Sequence, residues 1–392
     1  MLRISRHIAP FVLVMTILVT MLTSCERKDL YLARHGALNI DVSVYDIQLD
    51  LLWGLEWKTE WQYLWDESLY GPIGYSEPTG IRANVYTINE ANQRTRYTTR
   101  NLPKNGGKVS LTTRQSYDMV FYNNDTEYIL FSTDDANDYF YATTRSNTKA
   151  AYTRSYDHYN QPDQLFGTYL HDLYVTDDPS AYEMKYDEEG LPYYVFDVNA
   201  TLDPYTFIYL YQVMLVNNDD DAGKRVTGCE GISTNGLAGG VDLFTRVTDS
   251  VNLVTITQEE IKPMLSDRTL NLPDGTEVEG DIFAARLMTW GLPGIDPLAQ
   301  LATRSEAEPQ DSVYAGIGLT LRNGSVYSVE QNITDQIKQR PAGGVITLVI
   351  DTSEIPDSII GGKPKPGGGH RCLLTLNGWS CRQKLNISGA FQ

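Results

Sequence analysis

Cysteine and histidine are scarce in this chain of 392 residues, which has four of the first and five of the second. No two histidines have metal-site spacing, and HExxH, GxSxG, GxxxxGK[ST] and CxxC are all missing. Their absence excludes the readable forms of metalloprotease, serine-hydrolase, P-loop and dithiol chemistry. His158, beside Asp157, reads as a solvated loop histidine rather than a general base. The chain therefore reads as a non-enzyme with no cofactor and no metal. Basic charge is also short, with 32 Lys and Arg against 50 Asp and Glu and a formal net charge of −18. So acidic a chain is a poor partner for nucleic acid or an anionic membrane face. The clusters Asp219–Asp221 and Asp134, Asp135, Asp138 lack the ligand order of a calcium loop and read as solvated turns. Long apolar runs are lacking too. Ile8 to Leu22 is the one candidate, and it is shorter than the roughly 20 residues a membrane helix needs.

That run is instead the core of a secretory signal. Arg3 and Arg6 precede it and Leu22-Thr23-Ser24-Cys25 follows it. The tetrad resembles the bacterial lipobox, in which cysteine is acylated and becomes the first mature residue. The alternative is an ordinary signal with an incidental Cys25. Removing residues 1–24 takes the formal charge from −18 to −20, because Arg3 and Arg6 leave with them. Lipid on Cys25 would anchor the mature chain to the outer membrane at the cell surface, since each buried CH₂ contributes about 0.8 kcal/mol.

The remainder alternates like β-structure. Leu38, Ile40, Val42 and Val44 keep one parity, and Ile81, Ala83 and Val85 another. Tyr117–Tyr122 and Tyr128–Phe131 flank Asn123-Asn124-Asp125. Tyr205–Val216, without charge, predicts a strand buried between sheets, with a buried helix as the alternative, and Val345–Ile350 predicts another core strand. Asn323-Gly324 between alternating apolar residues predicts a hairpin. A helix is expected over Gln258–Leu265 and a short one near Gln164–Leu173. Many short strands in two blocks predict an all-β protein with two tandem β-sandwich domains. The expected organisation is a signal at 1–24, a tether at 25–36 and an N-terminal sandwich at 37–175. A connection at 176–192 leads to a C-terminal sandwich at 193–392, whose last strand follows the Gly/Pro spacer 361–370. In an oxidising compartment Cys372 and Cys381 are candidates for a disulfide closing a hairpin, with two free thiols as the alternative.

Trp53, Trp57, Trp61 and Trp65 form the most unusual local pattern. A spacing of four places them on one face of a helix and equally on one face of a strand. They read either as a platform that stacks on sugar rings or a partner, or as a flap covering the first sandwich.

Several segments resemble a group of fimbrillin-like lipoproteins of Bacteroidota, otherwise of unknown function. They are the lipobox with Cys25-Glu26-Arg27-Lys28-Asp29-Leu30, Tyr117–Glu127, Tyr205–Tyr209, residues 231–240 and Val345–Asp351. Residues 53–78 look like an insertion relative to that pattern. The resemblance implies transthyretin-like sandwiches in a fimbrial subunit or accessory protein. It also implies assembly with other fimbrial subunits by strand exchange, in which a partner's strand fills a groove opened by proteolysis. Arg34 stands where such a cut would fall, and residues 371–390 are a candidate donor strand unless they complete their own domain. Three readings compete: a fimbrial or adhesive subunit, a surface protein binding host or microbial glycans through its tryptophans, and a hydrolase with no visible constellation.

Overall fold

The computed structural model describes residues 35–40, 57, 59–91, 93–134, 139–153, 156–219, 223–303, 312–360, 373–377 and 380–381. Cys25, Arg34, Val42, Val44, Trp53, Asp135, Asp138, Asp220, Asp221 and Cys372 lie outside them. Cys381 ends a short strand and is described for its backbone only. The chain is all-β and sandwich-like, with strands in six sheets and only short helices among the described residues. None of those helices is long and apolar enough to cross a membrane.

Two compact units are present. Of the described residues, the smaller comprises 35–38, 108–115 and 174–198. It contains most of a three-stranded sheet in the order β12-β1-β4, made from β1 (His35–Ile40), β4 (Gly107–Ser110) and β12 (Val198–Ala200). It also holds the hairpin of β10 (Glu183–Tyr186) and β11 (Pro192–Val195). Val109, Leu111, Val175 and Val195 are its buried apolar residues.

The larger unit contains the remaining sheets. A five-stranded sheet runs β13-β9-β5-β2-β3, from β2 (Gly80–Ile88), β3 (Arg94–Pro103), β5 (Gln115–Asn123), β9 (Phe166–Val175) and β13 (Asp203–Pro204). A three-stranded sheet, β16-β7-β6, uses β6 (Ile129–Asp134), β7 (Tyr139–Thr144) and β16 (Gly240–Asp242). One core cluster joins residues of these two sheets through Tyr86, Val120, Tyr122, Phe140 and Ala142, with Trp290.

The second sandwich has a four-stranded layer, β18-β19-β14-β22, of β14 (Phe207–Val216), β18 (Leu265–Asn271), β19 (Glu277–Thr289) and β22 (Gly344–Asp351). Its seven-stranded layer runs β24-β23-β21-β20-β15-β17-β8. The members are β8 (Asp157–Tyr159), β15 (Val226–Ala238), β17 (Leu253–Gln258), β20 (Tyr314–Leu321), β21 (Val326–Asn332), β23 (Leu373–Asn377) and β24 (Ser380–Cys381). Tyr209, Tyr211, Val213 and Leu215 of β14 meet Ile232, Val254, Ile317 and Val329 in the largest cluster. Alternation in β14 puts the odd-numbered residues there and leaves Met214 on the outer face.

Two expected helices are absent. Gln258–Leu265 is the end of β17, a bridge from Ile261 to Ala285 and the start of β18. Pro263 lies in the middle and lacks the amide a helix would need there. The region near Gln164–Leu173 is β9, whose Phe166 amide donates to the Asn123 side chain on neighbouring β5. Asn323-Gly324 does turn the β20–β21 hairpin, with Gly324 at φ +79° and its amide donating to Leu321.

Both outer faces of the second sandwich are covered by segments from earlier in the chain. Across the seven-stranded layer, the Thr257 hydroxyl donates to Ala150, the Tyr152 amide to Ser233 and the Thr153 hydroxyl to Glu330. Tyr152 lies where Gly231, Gly316 and Gly318 leave room. A Cβ on Gly318 would come within 2.4 Å of the Tyr152 ring. The other layer is covered by the tryptophan segment.

Candidate functional site

Residues 57–75 cross the outer face of the four-stranded layer as a strap. Trp57 begins it in a tight turn whose carbonyl accepts from the amides of Glu60 and Trp61 at 3.0 and 2.9 Å. The chain then extends, and Trp61, Tyr63 and Trp65 turn toward the sheet while Leu64 between the last two is 67% exposed. Tyr63 is buried against Met214, Leu270, Ile282 and Ala284, with Trp61 and Trp65 packed beside it. The rings meet tilted or edge-on, at 5.8 Å from Trp61 to Tyr63, 6.1 Å from Trp61 to Trp65 and 5.9 Å from Trp65 to Tyr70. The structure thus brings Trp61 and Trp65 together, with Trp57 in the turn that precedes them. Its inward period is two, and it includes a tyrosine that the spacing of four passes over.

Polar contacts fix the strap at defined points. Gln212 of β14, itself buried, accepts from the Gln62 amide at 3.0 Å and donates to the Glu60 carbonyl at 2.8 Å. The Gln62 side chain donates to the Asn271 carbonyl and accepts from its amide, as a neighbouring strand would. Glu60 pairs with Arg340. The Tyr63 hydroxyl donates to Pro263 at 2.6 Å, and burial pushes its pKa up to about 12. The Trp65 indole donates to Gly71 at 2.8 Å, whereas the buried Trp61 indole N–H has no hydrogen-bond partner. Lys262 sits over the rings of Trp65 and Tyr70 at 4.8 and 4.4 Å, and loss of solvent lowers its pKa. This arrangement buries aromatic area and can hold a cation against two rings.

A second polar cluster escaped the sequence reading. Asp118 of β5 has a side chain only 1% exposed. It accepts from the Tyr169 hydroxyl at 2.5 Å, the Asp172 amide at 2.8 Å, Nδ1 of His171 at 2.9 Å and Arg94. Burial alone would raise its pKa, but these four hydrogen bonds together hold it below the usual carboxylate range. Arg94 also lies over the Phe244 ring at 4.5 Å. Asp172 adopts a left-handed conformation, φ +52°. The four partners come from β3 and β9, strands separated in the sequence, so no linear motif could have revealed them. Asp219 is described but joins no metal group: among the described residues no three His, Cys, Asp or Glu are placed to share an ion. Cys229 is a free thiol whose pKa burial pushes up to about 12.

The fold defines a class, that of all-β, sandwich-like chains. Within it, residues 70–251 match the family model described as "Domain of unknown function (DUF5119)". The solved structures similar to this chain include a candidate adhesin from Bacteroides ovatus, at 14% identity and TM-score 0.46, covering 85% of this chain and 98% of that one. They also include the fimbrial anchor protein Mfa2 from Porphyromonas gingivalis, at 11% identity and TM-score 0.37, covering 81% and 90%. No curated protein matches the sequence.

Proposed function

We propose that the chain is a cell-surface lipoprotein, anchored by lipid on Cys25, that serves as a structural or accessory subunit of a fimbria and acts in adhesion. The adhesin and fimbrial-anchor descriptions of the structures it resembles support a surface role. The mechanism proposed is β-strand addition. The observation that carries it is the position of β23, which lies beyond residues 361–372 and pairs in parallel with β21 from Ser328↔Leu373 to Gln331↔Leu376. Here residues 373–377 complete the chain's own sheet beside β21 and are no donor to a partner while that pairing lasts, so the edge of β21 marks where a strand can be added. A neighbouring subunit offering an equivalent strand would form the same main-chain bonds, with affinity from the backbone and selectivity from alternate side chains.

Mass spectrometry of the protein from native cells tests the reading, together with electron microscopy of surface filaments. An acylated Cys25 is expected for an anchored accessory or base protein, and a new N-terminus after Arg34 for a polymerising subunit. A mature chain that starts elsewhere, carries no lipid and is absent from surface structures would overturn the proposal. The alternative of glycan binding through the tryptophans rests on the partial exposure of Trp61 and Trp65. Loss of glycan capture on replacing Trp61 by Ala, in a chain that still folds, would favour it.

A further inference from the structure

Charge is unevenly distributed along this chain. Residues 91–117 contain no Asp or Glu but carry Arg94, Arg96, Arg100, Lys104, Lys108 and Arg114. Residues 177–197 carry seven carboxylates against a single base, Lys185. The first stretch supplies β3, an edge strand of the five-stranded sheet. Residues 95–97 and 99–101 of β3 are exposed, Arg96, Tyr97 and Arg100 among them. The second stretch supplies the β10–β11 ribbon.

One face of that ribbon is apolar. Its register sets Met184 opposite Tyr194 and Tyr186 opposite Pro192. Residues two apart share a face, so Tyr182 and Phe196 extend it, and Tyr182 lies 6.4 and 6.0 Å from the rings of Tyr194 and Phe196. Met184 and Tyr186 are 50% and 62% exposed, and neighbouring Leu191 is 52% exposed. The other face is engaged, with Val195 buried and the Tyr193 ring 4.2 Å from the Lys108 ammonium. Asp187, Glu188 and Glu189 stand at the turn, where Asp187 accepts from the amides of Glu189 and Leu191.

We propose that the acidic, aromatic ribbon β10–β11 of one copy docks on the basic edge strand β3 of a second copy. In a chain of net charge −18, copies repel one another over most of their surface. The β3 strand is the place where that repulsion reverses, and the ribbon is an apolar face rimmed with the matching sign. Arginine on β3 by itself is explained as protection of a sheet edge. That account leaves the exposed Met184 and Tyr186 face without a reason, whereas aromatic and Met side chains inside a charged rim are the usual make-up of an interface. The ribbon is about 14 Å long at 3.4 Å per residue, so the contact is small, weak and dependent on salt. Because it joins two different surfaces, it repeats from copy to copy. It requires no strand exchange and no proteolysis, and so stands apart from the assembly mode proposed above.

The test is sedimentation of a trace of fluorescently labelled full-length chain, in nonionic detergent, against increasing unlabelled chain. Self-association is expected at 0.05 M NaCl and is expected to weaken about tenfold or more at 0.5 M. Glu188→Lys with Glu189→Lys, or Arg96→Glu with Arg100→Glu, should each abolish it, and mixing the two reversed chains should restore it. Tyr186→Ser should weaken it without altering the charge. These positions are exposed, and unchanged circular dichroism melting verifies the fold of each variant. Association that ignores salt, persists in both reversed chains, or fails to return on mixing would overturn the proposal, as would a wild-type chain that stays monomeric. Strand exchange, by contrast, would resist salt and survive all four charge reversals, so the two assembly modes can fail separately.

Discussion

Nδ1 of His171 donates to Asp118 at 2.9 Å, yet the two side chains live in different solvents: the histidine is 56% exposed and the aspartate 1%. That asymmetry predicts unequal effects of removing them. Asp118→Ala strips the mostly buried Arg94 guanidinium, the Tyr169 hydroxyl and the Asp172 amide of their acceptor, and should cost about 3–5 kcal/mol. His171→Ala should cost less than about 1 kcal/mol, because water replaces its contact. Urea denaturation of both variants measures the difference, and equal losses would contradict the hub role of Asp118.

Acid should destabilise the fold through its depressed carboxylates. Asp118, Asp249, Asp281 and Asp351 all have folded-state pKa values below the ordinary 3.8, each because hydrogen bonds outweigh the opposing effect of burial. Groups of this kind contribute stability above their unfolded pKa and lose it as pH falls through the folded value. The melting temperature should therefore change little from pH 7 to about 5 and fall below about pH 4. In Asp118→Asn the acid-dependent part of the fall should be smaller.

Alkali offers the opposite sign. Burial raises the pKa of Tyr63 and Tyr152 to about 12, and it pushes Tyr205, Tyr209 and Tyr211 upward too, these three being more deeply enclosed. A raised folded value means stability that is complete below the unfolded pKa of 10 and is lost as pH climbs above it. Ultraviolet titration should show these tyrosines ionising only together with unfolding, in a cooperative step above about pH 11. Smooth, fully reversible ionisation of all 26 tyrosines near pH 10 would contradict their burial.

Gly318→Ala should cost about 1–3 kcal/mol, since the new Cβ meets the Tyr152 ring at 2.4 Å. Tyr152→Ala in the same chain should return part of that cost, which a double-mutant cycle would read as a coupling energy. Gly228→Ala, whose Cβ would meet only ordinary contacts at 3.9 Å, serves as the control.

Gln212→Ala should loosen the tryptophan strap. The substitution removes the acceptor of the Gln62 amide and the donor to Glu60, at a cost of about 1–3 kcal/mol. Hydrogen exchange should rise over residues 60–63 first. Leu64→Ala, at a position 67% exposed, should leave both exchange and stability nearly unchanged.

Much of the fold was legible because sheets with one buried face print a period of two on the sequence. Ile317, Leu319 and Leu321 with Asn323-Gly324 gave β20, its turn and β21 directly. Tyr209 to Leu215 announced a strand buried on both sides, although its outer cover could not be guessed. The errors came from residues whose neighbours decide their state. Gln258–Leu265 reads as a helix, but Pro263 and the bridge from Ile261 to Ala285 on β19 keep it out of one. Pro297–Thr303 and Thr334–Gln339 are helices too short to show a period. For the tryptophans, the even spacing put Trp61 and Trp65 on one face but named neither the sheet they cover nor Tyr63 between them, and Trp53 lies outside the described residues. The Asp118 cluster was invisible because its members are 24 to 54 positions apart.

The two straps carry a consequence for biogenesis. Residues 57–75 and 150–153 are made early, but the surfaces that receive them are built from β14, β15 and β17–β22, which are made last. Until the C-terminal half has been synthesised, Trp61, Tyr63, Trp65 and Tyr152 have no surface to cover. Long loops must then close before these contacts repay their entropy, which makes maturation slow. The emerging chain would display a run of aromatic side chains throughout that interval, a natural target for a holding chaperone.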